Sequence, residues 1–276
     1  MGLAGCSTPS PTAQAPTPEP STPSATPSVR PVAPTRSPTA RPTPSPLWVV
    51  GAHPLPLRPD GFGEVLPTPR VLRDRRLPTL DVLPPPRDGR FHSRISAISS
   101  EVRRRMGSTY KPGCPVPVSG LRYVNVTFRG FDGKAHTGEL VVNAHAAASV
   151  VRVFRRLYAL RFPLEQMQLP STQAAPPTGD GNDTVSFNCR TVRTSTKLSA
   201  HAYGLAIDVN PFQNPYHKGD LVLPELASAY LDRGWRRAGM LEPGSAAVRA
   251  FTDEGWTWGG TFRSLKDFQH FSLTGG

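Results

Sequence analysis

The sequence predicts a single α+β domain, with a small, mostly antiparallel sheet and flanking helices, behind a disordered Pro/Thr/Ser-rich tail. Three observations carry this reading. Prolines number 33 in 276 residues and crowd the front of the chain. Behind them, strand-like and helix-like apolar patterns mix without regular alternation, which favours α+β over a layered parallel array. The length suits one medium domain plus a tail, and no internal repeat appears.

The tail comes first. Residues 7–47 form a Pro/Thr/Ser tract with almost no large apolar side chains. Such a segment cannot bury enough surface to offset its conformational entropy, and its prolines favour an extended, solvated spacer. Ahead of it, "LAGC" at Leu3–Cys6 resembles the lipobox of bacterial lipoproteins, whose cysteine is lipidated. Residues 1–6 then read as the remnant of a signal peptide. Only Met1 and Gly2 precede the box, so this reading expects a start upstream or a trimmed signal. The alternative is a chance tetrapeptide opening a cytosolic protein. Residues 48–93 stay proline-rich but carry Leu, Val and Trp, an extended lead-in able to lie against a domain surface.

The folded domain is expected over 94–276. In "RISAISSEVRRRM", Ile95, Ile98, Val102 and Met106 share one helical face, predicting a helix over 94–106. "LRYVNVTFRG" and "HTGELVVN" read as two strands joined around "FDGK", whose Asp-Gly pair signals a turn. Val150, Phe154, Leu157 and Leu160 then recur at helical spacing, predicting an amphipathic helix over that sheet. "PEL" at 224–226 places a proline in a first turn, predicting a helix through Tyr230 and Leu231. A short helix is expected over 245–253.

The formal charge is +12, with many arginines between Arg58 and Arg161. That balance attracts anionic polymers in general. No basic helix interleaved with aromatics and no nucleic-acid motif accompanies it, so a solvated arginine-rich surface is expected and a nucleic-acid partner is not. No stretch after the tail has the apolar length to span a bilayer. If Cys6 is lipidated, Cys114 and Cys189 remain. In an exported chain that pair points to a disulfide, with two buried free thiols as the alternative.

The chemistry concentrates in "SAHAYGLAID", residues 199–208. Leu205, Ile207 and Val209 alternate with Ala206, Asp208 and Asn210, the period of a strand with one face in the core. Asp208 therefore points away from the apolar side. His201 precedes Gly204, which lets the backbone turn so that imidazole and carboxylate converge. A His and an Asp supply two of the three protein ligands of an open zinc site on the sheet. A third is offered by His270 in "KDFQHFSL", on a short terminal strand. Asp267 joins the same face only if the chain enters that strand through a turn. It would then stand beside the metal as a general base.

These blocks carry a resemblance. "SAHAYGLAID" matches the Ser-x-His-x-x-Gly-x-Ala-x-Asp signature of the D-alanyl-D-alanine carboxypeptidase family of zinc metallopeptidases, relatives of vancomycin-resistance D,D-peptidases and phage L-alanyl-D-glutamate endolysins. "WGGTFRSLKDFQHF" resembles the family's closing motif, and the similarity extends over about 114–273. Carried over by position, the resemblance implies one zinc ion held by His201, Asp208 and His270, with Asp267 as catalytic base. It places the arginine that steadies the oxyanion and binds the substrate carbonyl on Arg190 in "FNCR". Ser199 fixes local geometry or binds substrate. Aspartate as base is closer to the endolysin branch, and Phe262 stands where relatives often carry tryptophan.

The resemblance implies a hydrolase: a metallopeptidase cutting amide bonds in peptidoglycan stem peptides, most like a D-alanyl-D-alanine carboxypeptidase. An L-alanyl-D-glutamate endopeptidase of the same family and a non-catalytic cell-wall-binding lipoprotein are the alternatives. The expected setting is the bacterial cell envelope, outside the cytoplasm, with a monomer anchored to the membrane only through an N-terminal lipid.

Overall fold

A computed structural model of the chain describes residues 2, 48–170, 177–192 and 195–275. The lipidation expected at Cys6 and the spacer up to residue 47 lie outside these residues. The described residues from 48 onward make one compact unit. Where the sequence predicts one small sheet, the described residues build three, each three-stranded and antiparallel.

Strand β1 (Ser93–Ser96) and helix α1 (Ser100–Met106) lead into the long hairpin of β2 (Leu121–Arg129) and β3 (Ala135–Asn143). The Asp132-Gly133 turn closes that hairpin: Gly133 has φ 77° and the Gly130 N–H donates to the Lys134 carbonyl at 3.0 Å. The helix expected over 94–106 is shorter than its periodicity suggests. Ile95 lies in β1 opposite Val124 and is 43% exposed. Two local facts explain this. The chain before Ser99 takes its backbone partners from the edge of β2, and the Ser99 side chain accepts from the Val102 N–H, so the helix starts there.

Helix α2 (Ala147–Ala159) buries Val150, Val153, Phe154 and Leu157. They pack with Val124, Val126 and Phe128 of β2 and with Leu140 and Val142 of β3. Each fully buried aliphatic or aromatic side chain contributes roughly 1.5–3 kcal/mol. The opposite face of the hairpin is covered too. Leu121 and Val141 meet Val102 and Met106 of α1 together with Phe187 and Cys189. A Cys114–Cys189 disulfide closes this second cluster.

The second sheet joins β4 (Ala206–Asp208) to β7 (Thr257–Trp258) through a central β9 (His270–Ser272). Helix α3 (Ala246–Thr252), capped by Ser245, packs beside it, and its Phe251 stacks on Phe271 with ring centroids 3.8 Å apart. The third sheet places β5 (Tyr216–Lys218) between β6 (Leu221–Leu223) and β8 (Lys266–Asp267). No helix opens at Pro224; a single 3-10 turn forms at Ser228–Leu231. Tertiary partners take this segment's polar groups instead. The Leu226 N–H donates to the Gly179 carbonyl, Thr68 Oγ1 donates to the Leu226 carbonyl, and Glu225 Oε1 accepts from the Gly63 N–H.

Residues 48–92 have little regular structure, yet they enter the interior. Leu55 and Leu72 form a third apolar cluster with Phe212, Leu226 and Tyr230. Arg75, 1% exposed, pairs with buried Glu165 through Nε–Oε2 at 2.7 Å and Nη2–Oε1 at 2.5 Å. No helix among the described residues is long and apolar enough to cross a membrane.

Candidate metal centre

The site is assembled from three backbone features. The first is a 3-10 turn, Ala200–Tyr203, whose cap Ser199 accepts the His201 N–H on its side chain. Gly204 ends the turn at φ 64°, a left-handed conformation that favours glycine. A Cβ at this position would lie 2.5 Å from the Asn143 nitrogen, so only glycine lets the turn press against the end of β3. The second feature is the antiparallel pairing of β4 with β9, in which Asp208 stands directly opposite His270. Opposed residues of such a pair share one face. The third is a turn at residues 268–269 between β8 and β9, which returns Asp267 to the wall of the same cleft.

The ligand atoms of His201, Asp208 and His270 all lie within 4.8 Å of one another. His201 Nε2 is 3.2 Å from Asp208 Oδ2, and His270 Nδ1 is 3.0 Å from Asp208 Oδ1. His201 Nδ1 lies 2.6 Å from the Ser186 carbonyl. A carbonyl can only accept, so Nδ1 carries a proton and Nε2 is the atom turned to the carboxylate. Nε2 and Oδ2 stand 3.2 Å apart, a separation bridged by a proton or by a metal cation held between them. Two imidazole nitrogens and one carboxylate are a zinc donor set, and three protein ligands are the count of a catalytic rather than a structural site. A main-chain carbonyl behind a ligating histidine is the usual device for fixing its ring.

Charge is tuned around this triad. Burial opposes ionisation of Asp208, but the His201 and His270 imidazoles outweigh it and hold the carboxyl below its ordinary range. Burial lowers the His270 pKa, and the hydrogen bond and charge of Asp208 more than reverse that, so the imidazole is raised overall. Burial, then the Asp208 carboxylate, push Asp267 up to about 6. Its Oδ1 is buried and has no hydrogen-bond partner. Gly259 holds Asp267 in place by close approach: a Cβ there would lie 2.4 Å from the Asp267 carbonyl oxygen.

The triad opens into a cleft of about 370 Å³ whose wall also includes Arg190, Ser199, Tyr216 and Asp267. Arg190 is exposed and follows the disulfide cysteine Cys189. Its carbonyl accepts from the Ser199 N–H at 3.1 Å, and its charge acts to lower the His270 pKa. Ser199 is buried as the cap of the His201 turn. Trp256 and Trp258 are core residues that donate to Ser149 and to the Phe268 carbonyl, and His217 turns to the Gly219 carbonyl.

Residues 193–273 match the D-alanyl-D-alanine carboxypeptidase family. The resemblance read from the sequence is found again over this span, which holds all three clustered ligands and Asp267. Arg190 and residues 114–192 lie outside it. No curated protein and no solved structure matches the chain. The carboxypeptidase-family match supports a zinc-dependent peptidase of the kind that acts on peptidoglycan.

Several residues that build the site carry no sequence signal of their own. Ser186 acts through its main chain, which any residue supplies. Tyr216 reaches the wall because β5 pairs with β8, opposite Asp267. Asp60 and Phe62 come from the proline-rich lead-in, far from either motif.

Proposed function

We propose that this chain is a zinc-dependent peptidase that hydrolyses amide bonds in peptidoglycan stem peptides, in the manner of a D-alanyl-D-alanine carboxypeptidase. One observation carries the reading: three zinc-type donors within 4.8 Å of one another share a cleft wall with a carboxylate whose buried Oδ1 has no partner.

The chemistry that zinc supplies in such a site is Lewis acidity toward water and toward the scissile carbonyl. The side chains divide the remaining work. His201, fixed by Ser186, and His270, aligned with Asp208 by the β4–β9 register, orient the donor set. Asp267 takes the proton of the attacking water and returns it to the leaving amine, and a carboxyl shifted toward neutrality suits both transfers. Arg190, at the cleft wall, offers a guanidinium fork to the substrate carbonyl or carboxylate. Tyr216, across the strand pair from Asp267, lines the same space.

We place the activity in the cell envelope, with stem peptides as the partner of a monomeric chain. The Cys114–Cys189 disulfide supports this, because such bonds persist in oxidising compartments outside the cytoplasm. A lipid on Cys6 would tether the domain through a spacer of about 3 Å per residue.

Mass analysis of defined muropeptides after incubation with the zinc-loaded chain tests the proposal. Products are expected with zinc and not with a chelator or in Asp267→Ala. Cleavage that survives chelation, or none under any condition, would remove it.

A further inference from the structure

The metal cleft does not end at the carboxypeptidase-type centre. A second recess of about 530 Å³ adjoins it, and the two share Phe62, Arg190, Leu223 and Gln269 in their walls. Phe62, 6% exposed, borders both. The rest of its wall includes Pro177, Thr178, Gly179, Gly181 and Glu225.

Both walls are pre-organised. Phe62 sits in a small hairpin that bridges Leu57 to Gly63, with the Arg58 N–H donating to the Phe62 carbonyl at 2.8 Å. Arg58 pairs with Asp60 and Asp220 at 3.1 Å each, and the Gly63 N–H donates to buried Glu225 Oε1 at 2.9 Å. Asp180 pins its loop by accepting from Thr178 Oγ1 at 2.6 Å and from Trp48 Nε1 at 2.7 Å. The Asp180 carbonyl accepts from the Arg75 guanidinium at 2.8 Å. Rigid walls lower the ordering cost of binding.

The floor is bare. Gly61 and Gly181 border the recess, and a Cβ on either would meet nothing within 4 Å. Such a surface admits the close approach of another main chain. Arg190 and Glu225 add one charge of each sign, which suits a peptide carrying both carbonyl or carboxylate and amine groups.

We propose that this recess is a second peptide subsite, so that the substrate is an extended chain running from the metal centre past Phe62 and Arg190 across the glycine floor. The enzyme would then recognise several residues of a stem peptide, beyond the two that flank the scissile bond. This rests on the peptidase reading above and deepens it. The hairpin and the Gly181 loop lie outside residues 193–273, whereas Leu223, Glu225 and Gln269 lie inside, so the subsite joins segments from within and beyond the matched span.

Gly181→Leu tests it. Gly181 lines the recess and not the metal cleft, has no left-handed φ and has open space above it, so a leucine there is accommodated and intrudes on the recess alone. Zinc-loaded wild type and variant are compared on the D-Ala-D-Ala dipeptide and on a stem pentapeptide ending in D-Ala-D-Ala, with zinc content and Tm as controls. The variant is expected to lose about tenfold or more in kcat/KM on the pentapeptide and to change little on the dipeptide. A dipeptide left uncut by the wild type, with the pentapeptide cleaved, also supports the subsite. Equal loss on both peptides, or none on either, overturns it.

Calorimetric binding of the pentapeptide in an Asp267→Ala background reads the same subsite without turnover. Binding weakened by Gly181→Leu keeps the subsite even if the wild type proves to hydrolyse nothing, a result that would count against the peptidase reading alone. Binding unchanged by Gly181→Leu overturns the subsite whatever the hydrolysis shows.

Discussion

His201 and Ser186 are locked together: the imidazole Nδ1 donates to the Ser186 carbonyl at 2.6 Å, so Nε2 is the atom offered toward Asp208. Ring orientation is set by main chain, and the ligand set depends on all three side chains. His201→Ala or His270→Ala should therefore lower zinc affinity by at least about 100-fold, since even partners behind the ligands are worth 10–100-fold. Zinc content after dialysis checks this, and a His270→Ala variant retaining one equivalent would contradict the assignment.

Asp267 is a different case. Asp267→Ala should keep zinc and lose roughly 10²–10⁴-fold in kcat, the range of a lost general acid–base group. Gly259→Ala should resemble it in part. Its Cβ would sit 2.4 Å from the Asp267 carbonyl and must displace β8, lowering kcat with zinc retained. Parallel zinc analysis and turnover measurements read both variants.

Zinc affinity should fall in acid. In the metal-free chain Asp208 raises the His270 pKa against the opposing effect of burial, and Asp267 is pushed up to about 6 by burial and then by Asp208. A cation favours the deprotonated forms of both, so binding releases protons and affinity rises with pH until both have lost theirs. The same attraction pulls Asp267 downward, placing the acidic limb of kcat/KM for the loaded enzyme below pH about 6. Chelator competition from pH 5 to 8 measures the first trend. An affinity flat across that range would refute it.

The Arg75–Glu165 pair is buried on both sides. Glu165 also accepts from Asn182 Nδ2 at 2.8 Å, and its N–H donates to Asn210 Oδ1. Removing one partner leaves the other charge uncompensated in the interior, which costs about 3–5 kcal/mol. Arg75→Met should lower the urea midpoint accordingly. A loss under about 1 kcal/mol, the ceiling for most exposed pairs, would mean that solvent reaches the pair.

Reduction of Cys114–Cys189 should act on stability and on the cleft together. The bridge spans 75 residues, and freeing a loop of that size costs about 4 kcal/mol by chain entropy. Arg190 follows Cys189 directly, so Cys114→Ser/Cys189→Ser should also raise KM more than it lowers kcat. Denaturation and steady-state kinetics on the same preparation separate the two effects.

Much of the site could be read locally. The alternation around Asp208, the glycine after His201 and the spacing of the closing motif each depend on residues only a few positions apart. The β2–β3 hairpin, α2 and α3 follow from the same short-range periodicities. The misreadings have a common cause. Ile95 fits a helical stripe, but the free edge of β2 offered its backbone better partners; Pro224 suits a first turn, but Gly179 and Thr68 claimed the polar groups of Leu226.

Composition alone marks residues 48–92 as an extended lead-in, and nothing in their order announces that Phe62 would wall the cleft or that Arg75 would find Glu165 ninety positions away. Local patterns record which face of an element is apolar. Which distant segment covers that face is settled only when the whole chain closes on itself, because a buried charge or ring is stabilised by partners that sequence proximity does not specify.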